Sequence, residues 1–157
     1  MTDNPRLDFH RGATLKSSYI DRLRLTYSSV EEEYLSVAES VGLTDRSHMG
    51  RLRVSGADAL DLLNRLSTNK LDDLDVGQGM YTVLTSSKGR ILDLLLVLRL
   101  DSHLMVLTSP ENHKKVAEHI NFFTFSEDVV VEDITEDSAM LSLVGPKAID
   151  ILNIKNM

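Results

Sequence analysis

One aspartate stands in a context where a carboxylate could do chemistry. Asp93 lies within GRILDLLLVLRL, residues 89 to 100, a leucine-rich stretch that predicts a buried strand. Moving an ionised carboxylate from water into the protein interior without partners costs several kcal/mol of free energy. Asp93 is therefore expected to be solvated, to be paired with another group, or to meet a ligand in a pocket that perturbs it.

Side chains alternate between the two faces of a strand, and this alternation predicts which residues lie on the same face as Asp93. Side chains two residues apart share a face, so Asp93 shares one with Ile91, Leu95, Val97 and Arg99. Arg99 lies about 20 Å along the strand, too far for direct pairing. The opposite face is all leucine and is expected to be the core side (Leu92, Leu94, Leu96, Leu98 and Leu100). The pattern leaves a solvated carboxylate near the strand end and a carboxylate in a pocket both open.

Other motifs of catalytic and metal sites do not occur in the sequence. The five histidines, at positions 10, 48, 103, 113 and 119, form neither HxxxH nor HExxH, and there is no cysteine. No metal site is therefore predicted. The loop glycines match neither GxGxxG nor GxxxxGK followed by Ser or Thr, and no GxSxG elbow is present. The common nucleotide-phosphate and serine-hydrolase motifs are thus excluded.

Composition narrows the class of protein. The chain has 157 residues and a net charge of −7, so it lacks the basic stripe with which nucleic-acid binders displace counterions. Its longest apolar run, LLLVL at 94–98, is far shorter than the ~20 residues that cross a bilayer. The stretch MTDNPRLDFHRG has no apolar segment typical of a secretory signal. Neither nucleic acid nor a membrane is expected as a partner, and the lack of cysteine is compatible with the predicted cytoplasmic location.

Helix signals occur at four places. Ser29 with Glu32 makes a capping box before an apolar stripe at helical spacing, and Gly42 is expected to end this first helix. The other three helices are expected to begin at Ser55 with Asp58, at Ser109 followed by Pro110, and at Gly145-Pro146. The last pattern, KAIDIL, is cut off by the end of the chain. We therefore expect the sequence to be part of a longer protein.

Strand signals alternate with these helices. Strands are predicted at 51–56, 80–85, 91–100, 103–108, 128–134 and 139–144. The links SSKGR and DS are short enough for hairpins, which join antiparallel neighbours. The predicted fold class is α+β, an antiparallel sheet with packed helices. Residues 1–27 have no clean period and are expected to form an N-terminal arm, and residues 28–157 the folded part.

Three stretches together resemble a known family. They are VGLTDRSHMGRLRVSGADALDLLNRLSTNKL, GQGMYTVLTSSKGRILDLLLVLRL and VEDITEDSAMLSLVGPKA. Their order and spacing are similar to the folate-binding domain of the glycine cleavage T-protein (aminomethyltransferase) family, over roughly residues 30 to 157. The resemblance implies the first half of a T-protein-like folate-binding domain, with tetrahydrofolate as its ligand.

The resemblance also implies site residues. GRILDL matches a Gly-Gly-x-x-Asp-Asp stretch in which the first aspartate faces N10 of the folate, which makes Asp93 the expected catalytic carboxylate. The second aspartate is replaced by Leu94. Folate-binding residues are expected at Met49 of the Ser-His-Met turn, at Tyr81, at Thr108 in place of an asparagine, and at Ile91 and Leu95 as an apolar wall.

The function implied is transfer of a one-carbon unit to tetrahydrofolate, with a lipoyl carrier protein as a further partner. Two features depart from the family pattern. Arg90 replaces the second glycine of the hairpin, and INFFTFSEDVVVED has the Phe-rich lead-in that is typical of a sister branch. That branch comprises folate-binding accessory proteins for iron–sulfur cluster assembly or repair, without one-carbon transfer. The third alternative is a fragment or degenerate domain that only packs against other parts of a protein and has no activity of its own. The second half of the fold, or a second copy of the chain, is expected to complete the site.

Overall fold

The computed structural model describes residues 19–20, 23–24 and 27–152. The element order is β1 (Tyr19–Ile20), β2 (Leu23–Arg24), α1 (Val30–Glu39), β3 (Gly42–Asp45), β4 (Gly50–Ser55), α2 (Ala59–Leu66), β5 (Gly79–Thr85), β6 (Ile91–Arg99), β7 (Leu104–Thr108), α3 (His113–Phe122), β8 (Val130–Asp133), β9 (Leu141–Val144) and α4 (Ala148–Ile151). Apart from the antiparallel pair β1–β2 and residue 27, the predicted N-terminal arm lies outside the described residues.

The described residues divide into two compact units, one formed by those up to residue 48 with those from residue 137 onwards and one formed by residues 49–136. The second unit contains a five-stranded sheet in the order β5-β6-β7-β4-β8, and every adjacent pair is antiparallel. The predicted α+β class and the predicted hairpins are confirmed. Among the described residues, no helix is both long enough and apolar enough to cross a membrane.

The core of this unit lies between one face of the sheet and the helices α2 and α3. Its buried side chains are Leu52, Val54, Ala59, Leu62, Leu63, Leu71, Leu74, Leu84, Leu95, Val97, Leu104, Val106, Val116 and Ile120. On β6 the core side is therefore the face of Leu95 and Val97, which Asp93 shares. The expectation that the leucine face is the core side is wrong, because Leu94 is 55% exposed. Both faces of β6 are apolar, so alternation alone does not reveal which one the helices cover.

A short segment covers the outer edge of this sheet at β5. The backbone N–H of Thr68 donates to the carbonyl oxygen of Val83 at 3.1 Å, and Nδ2 of Asn69 donates to the carbonyl oxygen of Tyr81 at 2.8 Å. The segment 67–69 thus occupies backbone acceptors that an edge strand otherwise presents to solvent.

The start of α2 differs from the expected cap. Asp58 stands at the N-cap position but makes no side-chain bond to the helix. Its carboxylate accepts the backbone N–H of Asp128 at 2.8 Å instead. Close by, Gly56 has a φ of +115°. The carboxylate of Asp58 therefore joins the turn after β4 to the residues before β8.

The other unit contains α1 and the antiparallel pair β3–β9, in which Gly42 pairs with Val144. The predicted capping box of Ser29 and Glu32 is confirmed. Gly42 does not end α1, because the C-cap is Ser40 and Gly42 begins β3 instead. A Cβ at Gly42 would lie 2.4 Å from Cγ2 of Val37. The glycine is therefore needed for close packing of β3 on α1, and the apolar stripe of α1 stays largely exposed.

Candidate functional site

Asp93 is the third residue of β6 and is 5% exposed on the helix side of the sheet. Its Oδ1 accepts the hydroxyl of Ser109 at 2.6 Å and the backbone N–H of Leu94 at 2.9 Å. Its Oδ2 accepts the backbone N–H of Ser109 at 3.0 Å. Of the three states expected for this aspartate, the structure shows pairing, and the main partner is the turn that follows β7.

The expectation that Ser109 caps α3 is wrong. The helix begins at His113, with Asn112 at its N-cap, and Pro110 lies before the helix rather than in its first turn. Nδ2 of Asn112 donates to the carbonyl oxygen of Leu92 at 3.0 Å. Ser109 and Asn112 therefore both bind β6, which fastens the β7–α3 connection to that strand. Neither residue was identified from the sequence as part of the site.

Glu111 lies within this connection with a φ of +62°. This is the left-handed region of backbone conformation, which residues other than Gly, Asn and Asp seldom adopt. It is the one such non-glycine residue in the part of the chain that the structure describes. The strained residue stands between Ser109 and Asn112, so bonds on both sides of it hold the turn in its conformation.

Met49 lies at the same end of the sheet as Asp93. It precedes Gly50, which pairs with Thr108, the residue before Ser109. The carbonyl oxygen of Met49 accepts Nη1 of Arg51 at 2.6 Å. A Cβ at Gly50 would lie 2.2 Å from Oγ1 of Thr108, so the glycine permits close packing where the Met49 turn joins β4.

Thr108 and Leu95 have no exposed surface. The hydroxyl of Thr108 donates to the carbonyl oxygen of Ser109 at 3.0 Å, and Leu95 packs in the core. Leu95 thus does not line an open pocket, contrary to the expected apolar wall. Ile91, the other expected wall residue, is 73% exposed at the start of β6.

Tyr81 lies away from the carboxylate. It pairs with Leu96 on β6, whereas Asp93 pairs with Leu84. Because directly opposed residues of a sheet point to the same side, Tyr81 is on the face opposite to Asp93. It is 62% exposed there. The structure therefore brings Asp93, Thr108 and Met49 to one end of the sheet and leaves Tyr81 on its other side.

A second polar pair stands at the start of α3. Nε2 of His113 lies 3.5 Å from Oδ2 of Asp133. Burial by itself would raise the pKa of Asp133, but hydrogen bonds from Thr135 and the nearby charges of His113 and Lys114 together lower that pKa below its ordinary value. Asp133 therefore keeps its negative charge beside the imidazole of His113.

Comparison with known proteins identifies the relatives of this chain. A family model described as the GCVT N-terminal domain matches residues 9–155. The chain is 36% identical over 127 residues to an aminomethyltransferase of Exiguobacterium sibiricum, covering 80% of this chain and 35% of that protein. It is 33% identical over 149 residues to the aminomethyltransferase of Bacillus pumilus, covering 92% of this chain and 41% of that protein.

A solved structure agrees with this relationship. The glycine cleavage system aminomethyltransferase T from Bartonella henselae superposes with a TM-score of 0.80 at 27% identity, over 95% of this chain and 42% of that one. The chain thus spans well under half the length of the relatives it matches. The family resemblance of the three sequence stretches is confirmed. The chain belongs to the GCVT N-terminal domain family and is an aminomethyltransferase-like T-protein domain.

Proposed function

We propose that this chain contributes one side of a tetrahydrofolate site in an aminomethyltransferase, and that Asp93 accepts an N–H of the folate there. The observation that carries the proposal is the nearly buried carboxylate of Asp93, held by Ser109 and Leu94. It stands at the position where the family resemblance expects the folate-facing aspartate.

The hydrogen-bonding capacity of Asp93 is compatible with one further donor. An ionised carboxylate has about four acceptor positions. Donors from Ser109 and Leu94 occupy three of them, two on Oδ1 and one on Oδ2. A single N–H can therefore bind to Oδ2. With only 5% of the residue exposed, such a bond is electrostatically stronger than it would be in water.

The surrounding residues take different parts in this proposal. Met49 and the exposed Ile91 are the candidates for direct contact with the ligand from the same end of the sheet. Thr108 and Leu95 support the site from behind, because both are fully covered. Tyr81 is on the opposite face, so its expected folate contact is not part of the site proposed at Asp93.

The substrates proposed are tetrahydrofolate and an aminomethyl group carried on a lipoyl protein, in the cytoplasm. Positioning the two reactants accounts for much of the acceleration in such a transfer. A fixed negative charge beside the reacting nitrogen also stabilises positive charge that develops there. Since the relatives are more than twice as long as this chain, we propose that the second half of the fold, or a second copy, supplies the remaining contacts.

The test is a titration of the 157-residue chain with 5-formyltetrahydrofolate, comparing the wild type with Asp93→Asn. A turnover assay would add the remaining part of the Bacillus pumilus aminomethyltransferase, an aminomethyl-loaded lipoyl protein and tetrahydrofolate. Asp93→Asn keeps size and removes charge, so turnover should fall roughly 10²-fold to 10³-fold. Affinity should fall less, because apolar contacts remain.

Asp101→Asn is the matched control, since it makes the same change at an exposed aspartate beyond the other end of β6. Equal binding and equal turnover in the wild type and Asp93→Asn would overturn the proposal. Folate binding that depends on Asp93, with no transfer in the assay, would support the folate site and count against the proposed transfer.

A further inference from the structure

Ser109 contacts both oxygens of Asp93 from two different atoms. Its hydroxyl reaches Oδ1 at 2.6 Å and its backbone N–H reaches Oδ2 at 3.0 Å. We propose that Ser109 is a positioning residue, which fixes the plane of the Asp93 carboxylate so that one acceptor position on Oδ2 is presented to a ligand N–H. This inference rests on the function proposed for Asp93.

The two oxygens of Asp93 are not equivalent. Oδ1 accepts both the hydroxyl of Ser109 and the backbone N–H of Leu94, so its two lone pairs are occupied. Oδ2 accepts one donor from the described residues. The hydroxyl bond, at 2.6 Å, is in the range of the strong bonds that an O–H makes to an ionised oxygen. The ligand is therefore expected to donate a single hydrogen bond, and to Oδ2.

Other bonds hold Ser109 itself. Its carbonyl oxygen accepts the hydroxyl of Thr108 at 3.0 Å and the backbone N–H of Asn112 at 3.2 Å. Asn112 in turn binds the carbonyl oxygen of Leu92. None of these bonds uses the hydroxyl of Ser109. A variant without that hydroxyl should therefore keep the turn in place while it frees one position on Oδ1.

Loss of the hydroxyl should act through Asp93. The carboxylate would keep one backbone donor on each oxygen, from Leu94 and from Ser109. It would then present an acceptor position on both oxygens instead of one, and its plane could turn about the remaining bonds. The bond to a ligand N–H would lose its fixed direction, so affinity for a folate should fall even though the charge of Asp93 remains.

The experiment uses two substitutions of nearly the same shape. Ser109→Val lacks the hydroxyl, whereas Ser109→Thr keeps it. Titration of each chain with 5-formyltetrahydrofolate should show a loss of about 10-fold for Ser109→Val, the size expected for a hydrogen bond to a charged group. Ser109→Thr should regain most of that affinity. Ser102→Ala removes an exposed serine hydroxyl from the β6–β7 turn and serves as the control.

The same pair is then compared in an Asp93→Ala background. A positioning residue has no effect once the group that it positions is gone, so Ser109→Val should cause no further loss there. If Asp93→Ala does not weaken binding, the proposed function of Asp93 fails. Two results would overturn the positioning role alone. In the first, Asp93→Ala weakens folate binding but Ser109→Val does not. In the second, the loss of affinity caused by Ser109→Val in the Asp93→Ala background is as large as the loss that it causes in the wild type.

An amide-exchange measurement without ligand gives an independent result. The backbone N–H groups of Ser109 and Leu94 both donate to Asp93, so both should exchange faster in Asp93→Ala. They should stay protected in Ser109→Val if the turn is retained. Loss of protection in Ser109→Val would mean that the hydroxyl holds the turn rather than the carboxylate, and would overturn the inference.

Discussion

The guanidinium of Arg51 donates a hydrogen bond of 2.6 Å to the carbonyl oxygen of Met49, two residues earlier in the chain. The same group donates from Nη2 to the carbonyl oxygen of Thr135. Arg51 is 4% exposed. A buried cation therefore joins the turn before β4 to the turn after β8, and fixes the backbone at Met49.

Arg51→Met should destabilise the fold by about 2–4 kcal/mol, because it leaves buried carbonyl groups without their donors. Arg53→Met is the control, since Arg53 and Glu132 form an exposed pair at 3.4 Å whose removal should cost about 1 kcal/mol or less. Urea unfolding of both variants measures the difference. Equal losses would mean that the carbonyl groups near Arg51 find other donors.

The two faces of β6 should respond differently to the same substitution. Leu95→Ala removes a fully covered core side chain and should cost about 2–5 kcal/mol. Leu94→Ala, at the neighbouring exposed position, should cost about 1 kcal/mol or less. The comparison is made by chemical unfolding. A larger loss for Leu94→Ala would show that the leucine face is covered in solution.

Two glycines with positive φ should differ in their tolerance of a side chain. At Gly56 a Cβ would lie 1.9 Å from the carbonyl oxygen of Asp128, so Gly56→Ala should cost more than about 3 kcal/mol through steric clash and backbone strain. At Gly89, with a φ of +69°, nothing lies within 4 Å of the Cβ position. Gly89→Ala should therefore cost about 1–2 kcal/mol. Thermal unfolding of the two variants measures the difference. Equal losses of stability in Gly56→Ala and Gly89→Ala would contradict this account.

Acid should weaken the fold through Glu127. Its hydrogen bond from Arg65, together with the backbone N–H groups of Phe125, Ser126 and Glu127 itself, lowers its pKa from 4.5 to about 2. The unfolded chain then binds a proton at higher pH than the folded one, so the stability from Glu127 is present above pH 4.5 and is lost as the pH falls towards about 2.

Glu127→Gln should remove this part of the acid dependence. The free energies of unfolding of the wild type and the variant, measured between pH 6 and the lowest pH at which both fold, should converge as the pH falls. Curves that stay parallel over this range would show that Glu127 keeps the same pKa in the folded and unfolded chains.

Local features of the fold could be predicted from the sequence, because their partners are close in the chain. The capping box of Ser29 and Glu32 involves four consecutive residues, and the β6–β7 hairpin follows from a short turn. Strand β3 was not predicted, because Gly42 pairs with Val144, about a hundred residues later. A strand of four residues carries little periodicity of its own.

The candidate site illustrates the same limit. Family resemblance identified Asp93, but its pairing with Ser109 spans 16 residues and leaves no local pattern. A serine before Pro110 is typical of a helix cap, but the hydroxyl of this serine, Ser109, donates its hydrogen bond to the carboxylate of Asp93 instead. The separation of Tyr81 from Asp93 depends on strand register, which a sequence of apolar residues on both faces does not specify.

The cover that Thr68 and Asn69 provide over β5 has a consequence for self-association. A free strand edge is a template on which a second chain can add its own strand and begin an ordered aggregate. At β5 the carbonyl oxygens of Val83 and Tyr81 are already bound, so this edge is a poor nucleus for such growth. Edge-to-edge addition of a second chain is thereby disfavoured at β5, although β5 is a terminal strand of the five-stranded sheet.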